Sequence, residues 1–166
     1  MGAALMLVGE QPGDQEDLQG RPFVGPAGRL LDSALSELGW DRSTFYVTNA
    51  VKHFKWMPAP RGKRRMHKTP AQREADACLH WLEAEIALVD PKAIVALGAT
   101  AARQLLGRPV RVLQERGRWL KRSDGRAVLV TMHPAALLRT DPAQRDRAYA
   151  AWLNDLRFAS HPTLGG

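Results

Sequence analysis

The amino-acid sequence predicts an α/β fold: a three-layer α/β/α single domain, residues 1–166, with a mainly parallel central sheet. Short apolar runs alternate along the chain with longer amphipathic segments, and strands that alternate with helices form parallel sheets covered on both faces. The chain has 166 residues, of which 45% are hydrophobic and 25% are charged. These values are ordinary for one folded domain with a normal core.

The first part of the chain supplies two strands and a helix. Residues 4–8 are apolar and predict a first strand, and residues 45–48 predict a second. Residues 26–38 predict a helix between them, because Pro26 suits its first turn and Gly39 follows its end.

The second part begins with a long helix predicted from Pro70 to about Val89, with Thr69 placed to cap it. Residues 93–97 are continuously apolar, which is typical of a buried strand. The remaining predicted elements are a helix at 100–106, strands at 110–113, 119–121 and 127–131, and a last helix at 143–158.

The charge balance favours a polyanionic partner. The chain has 24 Lys and Arg against 17 Asp and Glu, a formal net charge of +7 and a pI near 10.2, which indicates nucleic acid first. No run approaches the roughly 18 apolar residues that span a membrane, and residues 1–9 predict a strand rather than a signal peptide. Cys78 is the single cysteine, which excludes an intramolecular disulfide and fits a reducing cytoplasm.

The ends of the predicted strands indicate where a ligand would bind. Ligands of open α/β sheets bind beyond the carboxyl ends of the strands. We therefore expect the segments that follow four of the strands to converge on one edge. These segments are 9–13, 48–50, 98–100 and 132–134.

Residues 9–28 form a glycine-rich segment with the sequence GEQPGDQEDLQGRPFVGPAG. Glycine lets a backbone approach a flat ligand closely. At a strand end, the Glu10 carboxylate can position a water or stabilise developing positive charge, and Phe23 is suited to stack on an aromatic ring. A surface Ω-loop whose glycines serve only its own turns explains the composition equally well. The segment lacks the signatures of a P-loop and of a dinucleotide turn.

Two further strand ends carry polar side chains. The Asn49 amide offers a donor and an acceptor side by side, which suits the edge of a pyrimidine, although most such residues cap turns. The His133 imidazole could donate to an oxygen that gains negative charge, although a histidine beside a proline is more often structural. Arg139, six residues after His133, could contact phosphate.

The segment 52–73 is the most basic part of the chain. It holds eight Lys and Arg and no acid, and Phe54 and Trp56 lie among the charges. So dense a cluster favours phosphate contact over a merely solvated loop, and the aromatic rings could stack on bases. A loop that only held phosphate would not need a histidine. His67 could therefore take part in a reaction, or it could only form a hydrogen bond with a phosphate.

Three motifs together resemble one protein family. They are GEQPG followed by DLQGRPFVGPAGRLLD, then YVTNAVKHFK, then HPAALLR. In combination they resemble the uracil-DNA glycosylase superfamily, nearest to its family 4 branch. Gln11 and the inserted KRRMH closely resemble the UdgX subgroup, whose members bind uracil in DNA and become covalently attached to it.

The resemblance implies a uracil pocket. Glu10 matches the carboxylate that assists glycosidic-bond cleavage, and Gln11 neighbours it in the pocket. Phe23 matches the aromatic ring that stacks on the flipped uracil, and Asn49 matches the amide that reads its edge. His133 matches the histidine that stabilises the departing uracil anion.

The resemblance also implies covalent capture and DNA contact. His67 matches the loop histidine that bonds to the sugar, and a neutral imidazole is a better nucleophile than water. Lys63, Arg64 and Arg65 would hold DNA phosphates and keep His67 unprotonated. Arg139 is a fourth expected DNA contact. The partner expected is uracil-containing DNA, preferably single-stranded, bound by a monomer.

A [4Fe–4S] cluster is expected from family 4, and Cys78 matches one ligand position. This sequence has no upstream cysteine pair, so either it is truncated at its N-terminus or the cluster is absent. The function expected is uracil excision followed by covalent capture through His67. The alternatives are an ordinary turnover uracil-DNA glycosylase in base excision repair and a non-catalytic DNA-binding module.

Overall fold

The computed structural model describes residues 5–12, 18–20, 23–52, 56–58, 65–67 and 70–159. Its strands are β1 (Leu5–Gly9), β2 (Tyr46–Asn49), β3 (Trp56–Pro58), β4 (Arg65–His67), β5 (Ala93–Leu97), β6 (Trp119–Lys121) and β7 (Ala127–Thr131). Its helices are α1 (Pro26–Glu37), α2 (Gln72–Val89), α3 (Ala99–Leu106), α4 (Val112–Glu115), α5 (Pro134–Leu138) and α6 (Pro142–Ala159), with a 3₁₀ turn at Arg42–Thr44.

Five strands form one sheet in the order β2-β1-β5-β7-β6. The first four are parallel, and β6 pairs antiparallel with β7 at the edge. The predicted mainly parallel α/β class is therefore confirmed. The register aligns Gly9 with Asn49 and Leu97 with Thr131, so the carboxyl ends of neighbouring strands lie side by side.

The core lies on both faces of this sheet. All five residues of β1 are buried, and successive side chains alternate between the faces. Leu5 and Leu7 pack in one cluster with residues of α1 and α6, and Met6 and Val8 pack in the other with residues of α2 and α3. Burial on both faces explains why the strands are continuously apolar rather than alternating.

Several predicted elements agree with the structure to within a residue or two, and two predictions were wrong. Thr69 lies outside the described residues, and the helix after it begins at Gln72 with Ala71 as its N-cap. The Glu74 carboxylate accepts a hydrogen bond from the Ala71 backbone nitrogen at 3.4 Å, so the helix start is fixed two residues later than expected.

The second wrong element is the strand predicted at 110–113, which the structure replaces with the short helix α4. Its start is held by the Glu115 carboxylate, which accepts from the Arg111 nitrogen at 2.9 Å and from Arg108 at 2.8 Å. A local side-chain bond to the backbone therefore outweighs the β propensity of the valines. Sequence patterns also missed the β3–β4 pair and α5.

Within the described residues, none of the helices has the length and apolar character needed to cross a membrane.

Candidate functional site

Backbone hydrogen bonds join neighbouring parallel strands at and just beyond their carboxyl ends. Ala50 donates to the Gly9 carbonyl and Val51 to the Glu10 carbonyl, each at 2.8 Å. On the next pair of strands, Gly98 donates to the Thr131 carbonyl at 2.9 Å. The ladder thus extends past the strands, and it holds the segments that carry the polar residues in fixed register. The expected convergence at one edge is observed.

Gly9 is the point where the first two strand ends meet an aromatic ring. A Cβ placed on Gly9 would lie 2.6 Å from Phe23 Cζ and 2.6 Å from Asn49 Oδ1. Real Cβ atoms essentially never approach other heavy atoms so closely, so a side chain at position 9 would displace the ring or the amide. Phe23 and Asn49 are both buried, and the ring and the amide therefore share one side of the β1 end.

Phe23 reaches this position through an unusual backbone. Its φ of 54° lies in the left-handed region, which is uncommon for a bulky residue and carries strain. The first turn of α1 packs directly against it, because a Cβ on Gly28 would lie 1.9 Å from the Phe23 carbonyl oxygen. The close glycine contact packs α1 against the strained residue, and the ring of that residue lies at the end of β1.

His133 stacks on the Phe23 ring. The two ring centroids are 5.8 Å apart and the planes are inclined by 27°, a stacked arrangement. His133 Nδ1 accepts a hydrogen bond from the Ala135 nitrogen at 3.0 Å and so caps α5. Because Nδ1 is the acceptor, the proton of a neutral ring lies on Nε2, which can then donate.

Glu10 lies beside the first turn of α3. The Thr100 hydroxyl donates to Glu10 Oε2 at 2.9 Å, although the two residues are ninety positions apart in sequence. Gly98 precedes that turn with a φ of +98°, and a Cβ there would lie 3.3 Å from His133 Cβ. Gln11, next to Glu10, is buried. The amide and the imidazole are therefore both close to the aromatic ring, and the carboxylate is joined through Thr100 to the turn that packs against His133.

The ends of β2 and β7 are held from outside the site. Lys52 donates to the Asn49 carbonyl at 2.6 Å and also contacts Glu85, so it supports the backbone of the amide residue. The Trp152 indole donates to the Met132 carbonyl at 2.9 Å, one residue before His133. Buried Asp155 accepts from the Thr131 hydroxyl at 2.7 Å.

The same carboxylate is paired with Arg116 at 2.9 Å. Sequence reasoning singled out neither Asp155 nor Trp152, since an isolated residue in a helix carries no signal of the strand it will contact. Thr100 did stand at a predicted strand end, which is the signal that could have found it.

Comparison with known proteins identifies the family. The model of the uracil DNA glycosylase superfamily matches residues 2–157. The chain belongs to the uracil-DNA glycosylase superfamily. It is 40% identical over 136 residues to the type-4 uracil-DNA glycosylase of Thermotoga maritima and 40% identical over 152 residues to that of Pyrobaculum aerophilum.

These matches cover 81% and 87% of this chain, and 66% and 72% of the two relatives, so the chain spans about two thirds of their length. A solved structure, wild-type SMUG2 of Pedobacter heparinus, has the same fold with a TM-score of 0.59 at 11% identity. The alignment covers 96% of this chain and 76% of that one. The superfamily resemblance is therefore confirmed, and the UdgX subgroup assignment stays a prediction.

The basic segment of this superfamily member contains a short antiparallel pair. Strands β3 and β4 align Trp56 with His67 and Pro58 with Arg65. Lys63 and Arg64 lie outside the described residues. Arg139 is exposed and ends α5, the helix that begins after His133. The role of Arg139 as a DNA contact stays a prediction.

Cys78 does not form an iron–sulfur site with the residues described. It is buried in α2 and packs with Val51 and Ala75, an apolar environment. The described part of the chain contains no group of three or more histidine, cysteine or acidic side chains that could hold a metal. A [4Fe–4S] cluster takes four ligands, usually thiolates, and this sequence has one cysteine, so these residues do not fit the cluster.

Proposed function

We propose that this chain is a uracil-DNA glycosylase that flips uracil out of DNA, excises it and then binds the abasic sugar covalently through His67. The observation that carries the proposal is the contact set around Gly9, which joins Phe23 and Asn49, together with the stacking of His133 on the Phe23 ring. The relatives named type-4 uracil-DNA glycosylases support the same activity.

The pocket residues divide the recognition of a flipped base. Phe23 offers a ring face for stacking, and the buried Asn49 amide can pair with a carbonyl and an N–H on the uracil edge. Buried Gln11 lies next to Glu10 and would complete the polar lining. Extruding the base costs a few kcal/mol, and less from a single strand, which favours single-stranded uracil-containing DNA.

Cleavage separates two opposite charges. The bond between C1′ and uracil N1 breaks, its electron pair leaves with the base, and the sugar becomes an oxocarbenium-like cation. The Nε2–H of His133 would donate to the uracil oxygen that gains charge, and Glu10 would offset the positive sugar. Donors fixed in advance by the helix cap lose little entropy when the charge appears.

Capture ends the reaction at the same carbon. A neutral His67 nitrogen would donate its lone pair to C1′, forming a carbon–nitrogen bond, while the imidazole proton passes to solvent and the uracil anion takes up a proton. In an ordinary turnover enzyme water attacks instead. In the backbone register of β3 and β4, Trp56 is paired with His67.

The surrounding positive charge would hold the DNA. Lys63, Arg64, Arg65 and Arg139 are the proposed phosphate contacts, consistent with the net charge of +7. We propose a monomer acting in the cytoplasm.

A denaturing gel of protein mixed with a uracil-containing oligonucleotide tests the function. We expect a band at the summed mass with the wild type and none with His67→Ala, while His67→Ala still releases uracil. His80→Ala is the matched control, since His80 is an exposed histidine of α2, and we expect its band to be retained.

The other outcomes separate the alternatives. Free abasic DNA with wild-type protein indicates a turnover glycosylase, and unchanged DNA indicates a non-catalytic module. A band that survives His67→Ala would refute the nucleophile assignment.

A further inference from the structure

Thr100 contacts the one carboxylate that the proposed reaction uses. We infer that Thr100 is a positioning residue for excision, which holds the Glu10 carboxylate in its working orientation through a hydroxyl hydrogen bond. The inference rests on the proposed function, because Glu10 must act in cleavage for its orientation to matter. The contact is 2.9 Å long and partly buried.

The hydroxyl donor lies on a rigid support. Gly98 donates its backbone N–H to Thr131 at the end of β7 and accepts from Ala102 at 3.1 Å, so the turn between β5 and α3 is fixed at both ends. The close approach of Gly98 to His133 leaves little room for the turn to shift toward the site. Thr100 follows Gly98 by two residues, in the first turn of α3, so the fixed turn also fixes the position of Thr100.

Glu10 is thereby held from two sides. Its backbone carbonyl accepts from Val51, next to the end of β2, and its carboxylate accepts from α3. A free glutamate side chain samples many rotamers, and ordering it during the reaction would cost entropy. Threonine is stiff at χ1, so it presents its hydroxyl in few orientations and orders the carboxylate in advance.

The test is a double-mutant cycle on uracil release from a single-stranded oligonucleotide under single-turnover, saturating conditions. We expect Thr100→Val, which keeps the shape but removes the donor, to slow release by about tenfold, since hydrogen bonds to charged groups have effects of this order. Thr100→Ser restores the hydroxyl and should recover most of the lost rate. Oligonucleotide affinity should be unchanged in both variants.

The decisive readout is the combination with Glu10→Gln. If Thr100 acts through the carboxylate, adding Thr100→Val to Glu10→Gln slows release little further, whereas a merely structural role lowers both backgrounds by the same factor. Thermal melting checks the fold of each variant, and Thr100→Ala is the second donor-free variant should Thr100→Val unfold.

The possible results distinguish failure of the inference about Thr100 from failure of the proposed function. A slow Glu10→Gln with a normal Thr100→Val, or equal effects in both backgrounds, overturns the role of Thr100 alone. A wild-type rate for Glu10→Gln removes Glu10 from the mechanism and this inference with it. Absence of release by the wild type overturns the proposed function and, with it, the role of Thr100.

Discussion

The two ends of the central sheet are built from different interactions. At the amino end, Arg126 precedes β7 and pairs with Asp90 and Asp124 at 2.5 Å each. Buried Arg122 follows β6 at the same end and contacts Glu83 and Asp124. At the carboxyl end, the contacts are a glycine against a ring and an amide, a stacked imidazole, and a hydroxyl on a carboxylate.

The difference indicates that ion pairs stabilise the amino end of the sheet, whereas the carboxyl end holds the candidate site. At the amino end, opposite charges neutralise one another: hydrogen bonds to Asp124 and Asp90 raise the pKa of Arg126. Burial alone would raise the pKa of Asp124, but the hydrogen bonds from Arg126 and the charge and hydrogen bond of Arg122 together lower that pKa. At the carboxyl end, the candidate site residues are fixed by close packing and by neutral donors, while the charged pairs Lys52–Glu85 and Arg116–Asp155 support the strand ends from outside the site.

The largest effect on uracil release is expected from adding a side chain at the carboxyl end of β1. Gly9→Ala places a Cβ 2.6 Å from both Phe23 and Asn49, so one of them must move. A displacement of about 1 Å in an active site can cost on the order of a hundredfold in rate, and we expect a loss of that size in uracil release.

Gly39→Ala is the matched control for this change. Gly39 follows α1 with a φ of +75°, and no described atom lies within 4 Å of a Cβ built there. We expect a lower melting temperature with uracil release retained. Equal loss of activity in the two variants would contradict the close-packing account of the carboxyl end.

At the amino end we expect a smaller effect, on stability and not on uracil release. Arg126→Ala removes contacts to two carboxylates and to the Pro91 carbonyl, and we expect it to lower the free energy of unfolding by about 1 kcal/mol, as for partly exposed pairs. Uracil release should stay at the wild-type rate. Chemical denaturation measures the free energy of unfolding, and Lys121→Ala controls for the loss of a positive charge. A large loss of uracil release in Arg126→Ala would show that the amino end also affects activity.

The smallest effect concerns the edge strand β2 at high pH. Burial first, and then the hydrogen bond to Glu85, raises the pKa of Tyr46 from 10.0 to about 12. Folding therefore favours the protonated phenol, so this stabilisation is complete below pH 10 and is lost as the pH rises to about 12.

Tyr46→Phe should therefore reduce the fall in stability between those pH values. Parallel denaturation curves at increasing pH measure this difference, and an ultraviolet titration follows the phenolate directly. An unchanged fall in stability would indicate that Tyr46 ionises equally easily in the folded and unfolded chain.

The sequence was sufficient for the five strands of the central sheet and for the long helices, because apolar periodicity and glycine or proline at helix ends are local signals. Residues 93–97 and 127–131 were predicted with the bounds that the structure gives. It failed at α4 and at the start of α2, where a carboxylate three or four residues away decides the backbone conformation. The covalent role of His67 stays a prediction.

The sequence by itself determined the sheet, the family and the set of polar residues at the strand ends, since each depends on residue order and type. Only the tertiary structure decided which of those residues touch. Thr100 and Glu10 meet because two parallel strands, adjacent in space and distant in sequence, end at one edge. Glycine suits position 9 because a ring and an amide from separate segments fill the space that a side chain there would take. Such contacts arise from packing across the chain, which no local pattern records.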